Sequence, residues 1–190
     1  GDWRKDDGTS GSKLRKWEKE DFIPRNDDIF QERLYAIQWS KKRADVYGSD
    51  YEFRAVTADD LLREQAVIDY VQSKLPDWQE RGIVPSTRIE AGYNTNQPIR
   101  ERGWTHWHHL FAPRQLLVAA LVREHDSSAS ASVMFGQAVD KFARLSRWNP
   151  GDNNVKGVFY NQALNTQYNF GVRASSTFLD LMTSPPKHFP

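Results

Sequence analysis

The longest apolar run in the chain lies inside residues 100–125, RERGWTHWHHLFAPRQLLVAALVREH. Every residue from position 116 to position 122 is apolar, so a helix through this run presents apolar side chains on all sides. Pro113 stands just before the run, where the first turn of a helix accepts proline. The pattern therefore predicts a buried helix that begins near Pro113.

Aromatic residues and histidines precede this predicted helix. Trp104, Trp107 and Phe111 fall at i, i+3 and i+7, so a short helical turn places them on one face and the histidines on another. We define an aromatic–histidine rim by its five members: Trp104, His106, Trp107, His108 and His109. The rim is predicted to border the apolar helix as a polar and aromatic surface.

A β-hairpin and a helix are predicted upstream of this region. Residues 34–39 and 51–56 are rich in strand formers and flank a loop that contains Gly48. Thr57 and Asp60 have the spacing of a capping box, so a helix is predicted to follow the hairpin directly. Its apolar face is formed by Leu61, Ile68, Val71 and Leu75, and Pro76 is predicted to limit it.

A long loop is predicted before the central helix, and a further helix is predicted after it. Residues 82–102 contain so many turn formers that they predict a long loop without regular structure. After the central helix, residues 133–145 carry a broad apolar stripe that predicts another helix. Lys141, Arg144 and Arg147 fall on the opposite side and predict a basic, exposed edge.

These elements predict a helix-rich α+β fold with a small β-hairpin, three or more helices and a long central loop. A short strand is also predicted within residues 155–160. Residues 1–16 are Gly, Ser, Asp and Lys rich and are predicted to be a flexible arm. Residues 17–174 are predicted to form a single globular domain, and residues 175–190 a Pro-rich C-terminal tail.

Composition narrows the chemistry only in part. The 26 basic and 25 acidic residues nearly cancel, so the net charge of +1 neither requires nor excludes a nucleic acid partner. The absence of cysteine excludes disulfides and thiolate metal sites. No stretch has the length of a membrane span and no signal-peptide pattern opens the sequence, so a cytoplasmic protein without a membrane partner is expected.

The histidines are the first candidates for chemistry. Imidazoles at i and i+3 can converge on a metal, yet Glu101 is the only carboxylate nearby in the sequence. We therefore expect no metal in this chain, with histidines that cap helices or bind backbone. A free-standing enzyme that uses His106, His108 and His109 is an alternative interpretation.

Motifs for a bound cofactor are missing. The chain contains neither GxGxxG nor GxxxxGK[ST], so no cofactor is expected to bind this chain. The sequence TSPP at residues 183–186 is similar to the turn with which amino-methyltransferases hold a flipped base. Lys187 replaces the aromatic residue of that turn, so the stacking surface is lost.

Basic and aromatic residues are interleaved in the last third of the chain. This combination can neutralise phosphates and stack bases, although a solvated basic face beside core aromatics gives the same pattern. The residues of this group that we assign to DNA binding are Arg144, Arg147, Trp148 and Lys156.

Four stretches resemble a known family. They are residues 28–39 (DIFQERLYAIQW), 92–103 (GYNTNQPIRERG), 103–121 (GWTHWHHLFAPRQLLVAAL) and 158–173 (VFYNQALNTQYNFGVR). They are similar to segments of large adenine-specific DNA methylases with an uncharacterised N-terminal domain, including those encoded near anti-phage defence genes. Arg114, Gln115, Asn161 and Gln162 match the pattern of that family and complete the set of candidate DNA contacts.

The resemblance implies a place within a larger enzyme. In that family a Gly-rich cofactor motif lies upstream of this segment and an Asp-Pro-Pro-Tyr catalytic motif lies downstream. The chain is thus expected to be an insert or target-recognition-like region that contributes DNA contact or scaffolding, with S-adenosylmethionine bound by the full-length protein. An alternative is a protein-interaction module of a defence complex, which an exposed patch at Trp104 and Trp107 would favour.

Overall fold

Among the described residues, two antiparallel strand pairs precede four helices, and a third strand pair follows them. The computed structural model describes residues 2–4, 8, 10–42, 49–125, 128–158, 160 and 162–173. The strand pairs are β1 (Asp2–Arg4) with β2 (Ser10–Ser12), β3 (Ala36–Lys42) with β4 (Ser49–Ala55), and β5 (Trp148–Asn149) with β6 (Asn154–Val155). The helices are α1 (Ala58–Glu80), α2 (Asn96–Arg102), α3 (Pro113–His125) and α4 (Ala129–Val139). The predicted α+β class with a small hairpin is confirmed.

Helix α1 begins as predicted and ends later than predicted. Thr57 Oγ1 accepts from the backbone N–H of Asp60, and the Asp60 carboxylate accepts from the backbone N–H of Thr57, which completes the capping box. The helix continues through Pro76 to Glu80, so the predicted limit at Pro76 is wrong. Leu75 and Trp78 are both buried, and their packing holds the last turn although proline removes one backbone donor.

Helix α3 packs against α1 and forms the main core with it. It begins at Pro113, as the sequence predicts. Only part of its surface is buried, because Leu121 on the outer side is 44% exposed. The buried core residues are Phe22, Val67, Val71, Leu75, Trp78, Val84, Leu116 and Ala120.

The predicted long loop contains a helix. Residues 96–102 form α2, which ends at Gly103 in the left-handed conformation with φ +75°. Side chains rarely adopt this conformation, and a Cβ at Gly103 would lie 2.0 Å from the carbonyl oxygen of Arg15. The backbone of the N-terminal segment therefore passes directly over the end of α2, and the Trp17 N–H donates to Gly103 O at 2.8 Å.

Helix α4 is shorter than the apolar stripe predicts. It ends at Val139, and the following turn carries Phe142 and Arg144 into the interior with 0% exposure. The predicted basic edge of one helix is therefore wrong for Arg144, whereas Arg147 is exposed. The short strand predicted at residues 155–160 is instead β6, which pairs with β5.

The N-terminal boundary also differs from the expectation. Part of the predicted arm forms the β1–β2 pair, and Arg15 binds Asp28 through two hydrogen bonds of 2.7 Å. Arg15 therefore belongs to the folded domain. The Pro-rich tail and its TSPP sequence lie outside the described residues.

Candidate functional site

The three histidines of the aromatic–histidine rim form a buried cluster at a 3-10 helix, Trp107–Leu110. The ring centroids of His108 and His109 lie 4.3 Å apart, and those of His106 and His109 lie 5.1 Å apart. Trp17 packs edge-on against the His109 ring at 5.2 Å. The cluster is therefore enclosed by aromatic side chains and is not open to a substrate.

Hydrogen bonds fix the tautomer of His109. Its Nδ1 accepts from the backbone N–H groups of Thr105 and His106 at 3.0 and 3.2 Å. Its Nε2 therefore carries the proton and donates to Glu18 O at 2.9 Å. Burial, together with the neighbouring His108 and His106, lowers the pKa of His109 to about 2. His109 is consequently neutral and donates one hydrogen bond.

His108 and Gln79 bind the same irregular segment. His108 Nε2 donates to Asp21 O at 3.1 Å, and Gln79 Nε2 donates to Lys19 O at 3.1 Å. Burial lowers the pKa of His108 to about 4. A segment without secondary structure has no strand or helix partners for its carbonyls, so buried side chains must satisfy them. His108 and His109 provide hydrogen bonds to these carbonyls.

The predicted rim is therefore mostly interior. Trp104 is 4% exposed, and of the five members only Trp107 reaches the surface, at 37% exposure. An exposed patch at Trp104 and Trp107 would have favoured the interaction-module alternative, and this arrangement does not provide one. The described residues contain no group of three His, Asp or Glu side chains arranged to hold a metal ion.

Arg144 joins the same buried assembly. Its guanidinium binds Glu32 through both carboxylate oxygens at 2.6 and 2.8 Å, and donates to the carbonyl oxygens of His109, Phe111 and Phe22. All of its donor directions are thus occupied. The expectation that Arg144 contacts DNA is corrected here, because its side chain is fully enclosed.

Arg114 and Gln115, which match the resembled family, also serve the fold. Arg114 pairs with Glu64 on α1 and ties the two core helices together. Gln115 is fully buried, and its Oε1 accepts from the N–H of Ala112 at 2.8 Å. This bond satisfies a backbone donor at the start of α3. The Gln115 side chain is enclosed and cannot contact DNA, whereas the Arg114 side chain is partly exposed beside Glu64.

Three other predicted DNA contacts do come together. Trp148 pairs with Val155 across β5 and β6, and Lys156 N donates to Arg147 O at 2.9 Å. Arg147, Trp148 and Lys156 are thereby held side by side on the short strand pair. Of the remaining candidates, Gln162 is exposed, and Asn161 lies outside the described residues.

The β3–β4 hairpin adds a neighbouring aromatic face that the site prediction missed. Phe53 packs edge-on against Trp148 with ring centroids 5.6 Å apart. Tyr51 lies two residues away on the same strand face, and both rings are more than half exposed. Gln38, opposite Phe53 in the register, donates to Asn153 O at 3.4 Å. The alternation of residues 51–56 predicts the shared face, whereas its contact with β5 is not visible in the sequence.

We call this combined face the aromatic–basic surface, and its members are Tyr51, Phe53, Arg147, Trp148 and Lys156. Lys156 is paired with Asp152, and this ion pair lowers the pKa of Asp152. Arg173 lies alongside and donates to Asn154 Oδ1 at 2.6 Å. Three basic side chains, those of Arg147, Lys156 and Arg173, therefore lie on or beside this strand pair together with the acid Asp152.

No helix among the described residues has the length and apolar character to cross a membrane. Comparisons with protein-family models, with curated proteins and with solved structures find no match for this chain. Its function is therefore inferred from the arrangement of its own residues.

Proposed function

We propose that this chain binds DNA through the aromatic–basic surface. The observation that carries the proposal is the contact of Phe53 with Trp148 beside Arg147 and Lys156. Cationic side chains neutralise phosphates, and exposed aromatic rings stack on bases without requiring a particular sequence. The β5–β6 pair and the adjoining hairpin bring both kinds of group close together.

We further propose that the chain is an insert of an adenine-specific DNA methyltransferase that supplies DNA contact or scaffolding. The four stretches that resemble this family support the proposal. Two matching residues, Arg114 and Gln115, stabilise α3, which suits a scaffold role. In this proposal S-adenosylmethionine and the catalytic residues belong to the rest of the enzyme.

The test is a fluorescence-anisotropy titration of labelled duplex and single-stranded DNA at several salt concentrations. Wild type should bind both, with affinity that falls steeply as salt rises. Removing two phosphate contacts in Arg147→Ala/Lys156→Ala should reduce the log–log salt slope by roughly 1.4 for single strands and 1.8 for duplex.

Arg63→Ala/Lys74→Ala is the matched control, because it removes the same charge from the exposed side of α1. This variant should keep the wild-type slope. An equal loss of salt slope in both double variants would show that only the net charge matters. That result would refute the proposed surface. An absence of DNA binding at low salt would refute DNA binding altogether.

A further inference from the structure

A small pocket is present outside the aromatic–basic surface and shares no lining residue with it. Its walls come from the N-terminal segment, the end of α2 and the segment around Tyr168, and its volume is about 110 Å³. Sites for drug-sized ligands occupy roughly 300–1,000 Å³, and an apolar cavity of about 150 Å³ holds benzene. The pocket is therefore too small for a whole nucleotide and admits only part of a base.

Stacking groups line this pocket. Arg102 lies with its guanidinium carbon 4.5 Å from the ring centroid of Phe30 and 5.1 Å from that of Tyr168. The carbonyl oxygens of Glu101 and Gln167 hold the guanidinium in place at 3.2 and 3.3 Å. Aromatic rings and guanidinium planes are the two kinds of side chain on which unpaired bases stack.

The lining charges favour an uncharged ligand. Arg15 and Arg102 are balanced by Asp28 and Glu32, so the pocket has no net charge to attract a phosphate. Asp28 is bound by Arg15, whose hydrogen bonds lower the pKa of the Asp28 carboxyl. The side-chain amide of Gln167, which also lines the pocket, contains both a donor and an acceptor.

The pocket and the aromatic–basic surface are joined by one short stretch of chain. Gly171 packs against Trp148 and Val155, since a Cβ there would lie 3.9 Å from Trp148 Cε3. Tyr168 is three residues earlier, so its Cα lies within about 11 Å of that of Gly171. A strand of DNA on the surface can therefore reach the pocket with a neighbouring base.

We propose that this pocket holds part of one unpaired base of the bound DNA, stacked against Phe30, Arg102 and Tyr168. The identity of the ligand rests on the proposed function, whereas the size, neutrality and stacking walls of the pocket do not.

The pocket itself is tested with adenosine and cytidine, observed through the indole N–H resonances of the seven tryptophans. Trp17 and Trp104 line the pocket, so their signals should shift saturably on addition of a nucleoside. Tyr168→Ala, which alters a ring that is 89% exposed, should abolish the shift without unfolding the chain. Tyr93→Ala, at a fully exposed ring elsewhere, should not. Absence of a saturable shift, or an unchanged shift in Tyr168→Ala, would overturn the inference.

A second binding experiment uses DNA. It compares a duplex that contains one bulged nucleotide with the same duplex made abasic at the bulge. Wild type should bind the bulged base about tenfold more tightly, and Tyr168→Ala should remove this preference. Arg147→Ala/Lys156→Ala should weaken both duplexes and keep the ratio. Equal binding of both duplexes by wild type would overturn the base pocket and leave the proposed function intact. Failure to bind either duplex would overturn the proposed function, and the nucleoside titration would then decide the pocket alone.

Discussion

Arg144 is buried because of partners that lie far away in the sequence. In the sequence it lies in a basic pattern with Lys141 and Arg147 that suggests an exposed edge. Its ion-pair partner Glu32 is 112 residues away, and its carbonyl partner Phe22 is 122 residues away. Local periodicity carries no information about such contacts, so the burial of Arg144 could not be predicted from the sequence.

Arg144→Ala should destabilise the fold by about 3–5 kcal/mol, the usual cost of breaking a buried ion pair by removing one partner. The carbonyls of Phe22, His109 and Phe111 would lose their donor, which adds to the loss of the Glu32 pair. Urea denaturation followed by tryptophan fluorescence measures the change.

Arg147→Ala is the control for this measurement, because Arg147 is exposed and its loss should alter stability by no more than about 0.5 kcal/mol. Arg144→Lys should not restore wild-type stability, since an ammonium cannot reproduce the planar set of hydrogen bonds. A loss below about 1 kcal/mol in Arg144→Ala would contradict the role given to this residue.

At the scale of elements, predictions succeeded where the determinants are local. The capping box of Thr57 and Asp60 lies within four residues, and Pro113 carries its own preference for a helix start. Predictions failed at Pro76 and Val139, where tertiary packing decides the helix end. The pairing of the hairpin was predictable, whereas the packing of Phe53 on Trp148 depends on two elements 95 residues apart.

The 3-10 helix that carries the histidines should make stability dependent on pH. The folded-state pKa of His108 is lowered to about 4, against about 6.5 in the unfolded chain, so the unfolded state takes up protons first as pH falls. Its contribution is fully present above about pH 6.5 and is lost as pH falls towards about 4. The loss from His108 alone is on the order of 3 kcal/mol.

Urea midpoints between about pH 7.5 and pH 4.5 measure this dependence. His108→Gln should make the profile shallower, and His109, whose folded-state pKa is also lowered, accounts for the remaining dependence. His125→Gln, at the exposed end of α3, should leave the profile unchanged. Asp28, whose pKa is lowered by Arg15, contributes in a separate window below about pH 4. A wild-type midpoint that stays constant through the interval would contradict the histidine assignment.

At the scale of the whole molecule, the net charge is nearly zero, and what matters for binding is where individual basic side chains lie. A net charge of +1 indicates no particular partner, but the aromatic–basic surface groups its cations beside exposed rings. The basic and aromatic composition of the last third of the chain was visible in the sequence. The contribution of the hairpin to that surface was not visible in the sequence, because Tyr51 and Phe53 lie outside the last third of the chain.

The chain should not bind S-adenosylmethionine by itself, because it lacks a Gly-rich cofactor turn. Isothermal titration calorimetry of the chain with the cofactor is the measurement, and no saturable heat is expected. Saturable binding would show that the chain contains the cofactor-binding part of a methyltransferase, which contradicts its proposed place as an insert.

The hydrogen bonds that hold the irregular N-terminal segment also affect the order in which the protein folds. His108, His109 and Arg144 bind carbonyls that lie 87 to 122 residues away, so these carbonyls lack these partners until the chain has been made as far as His108 to Arg144. At a synthesis rate of about 5–20 residues per second, residues 18–22 emerge on the order of ten seconds before their partners. We expect this segment to dock last, and contacts of such high sequence separation to make folding slow.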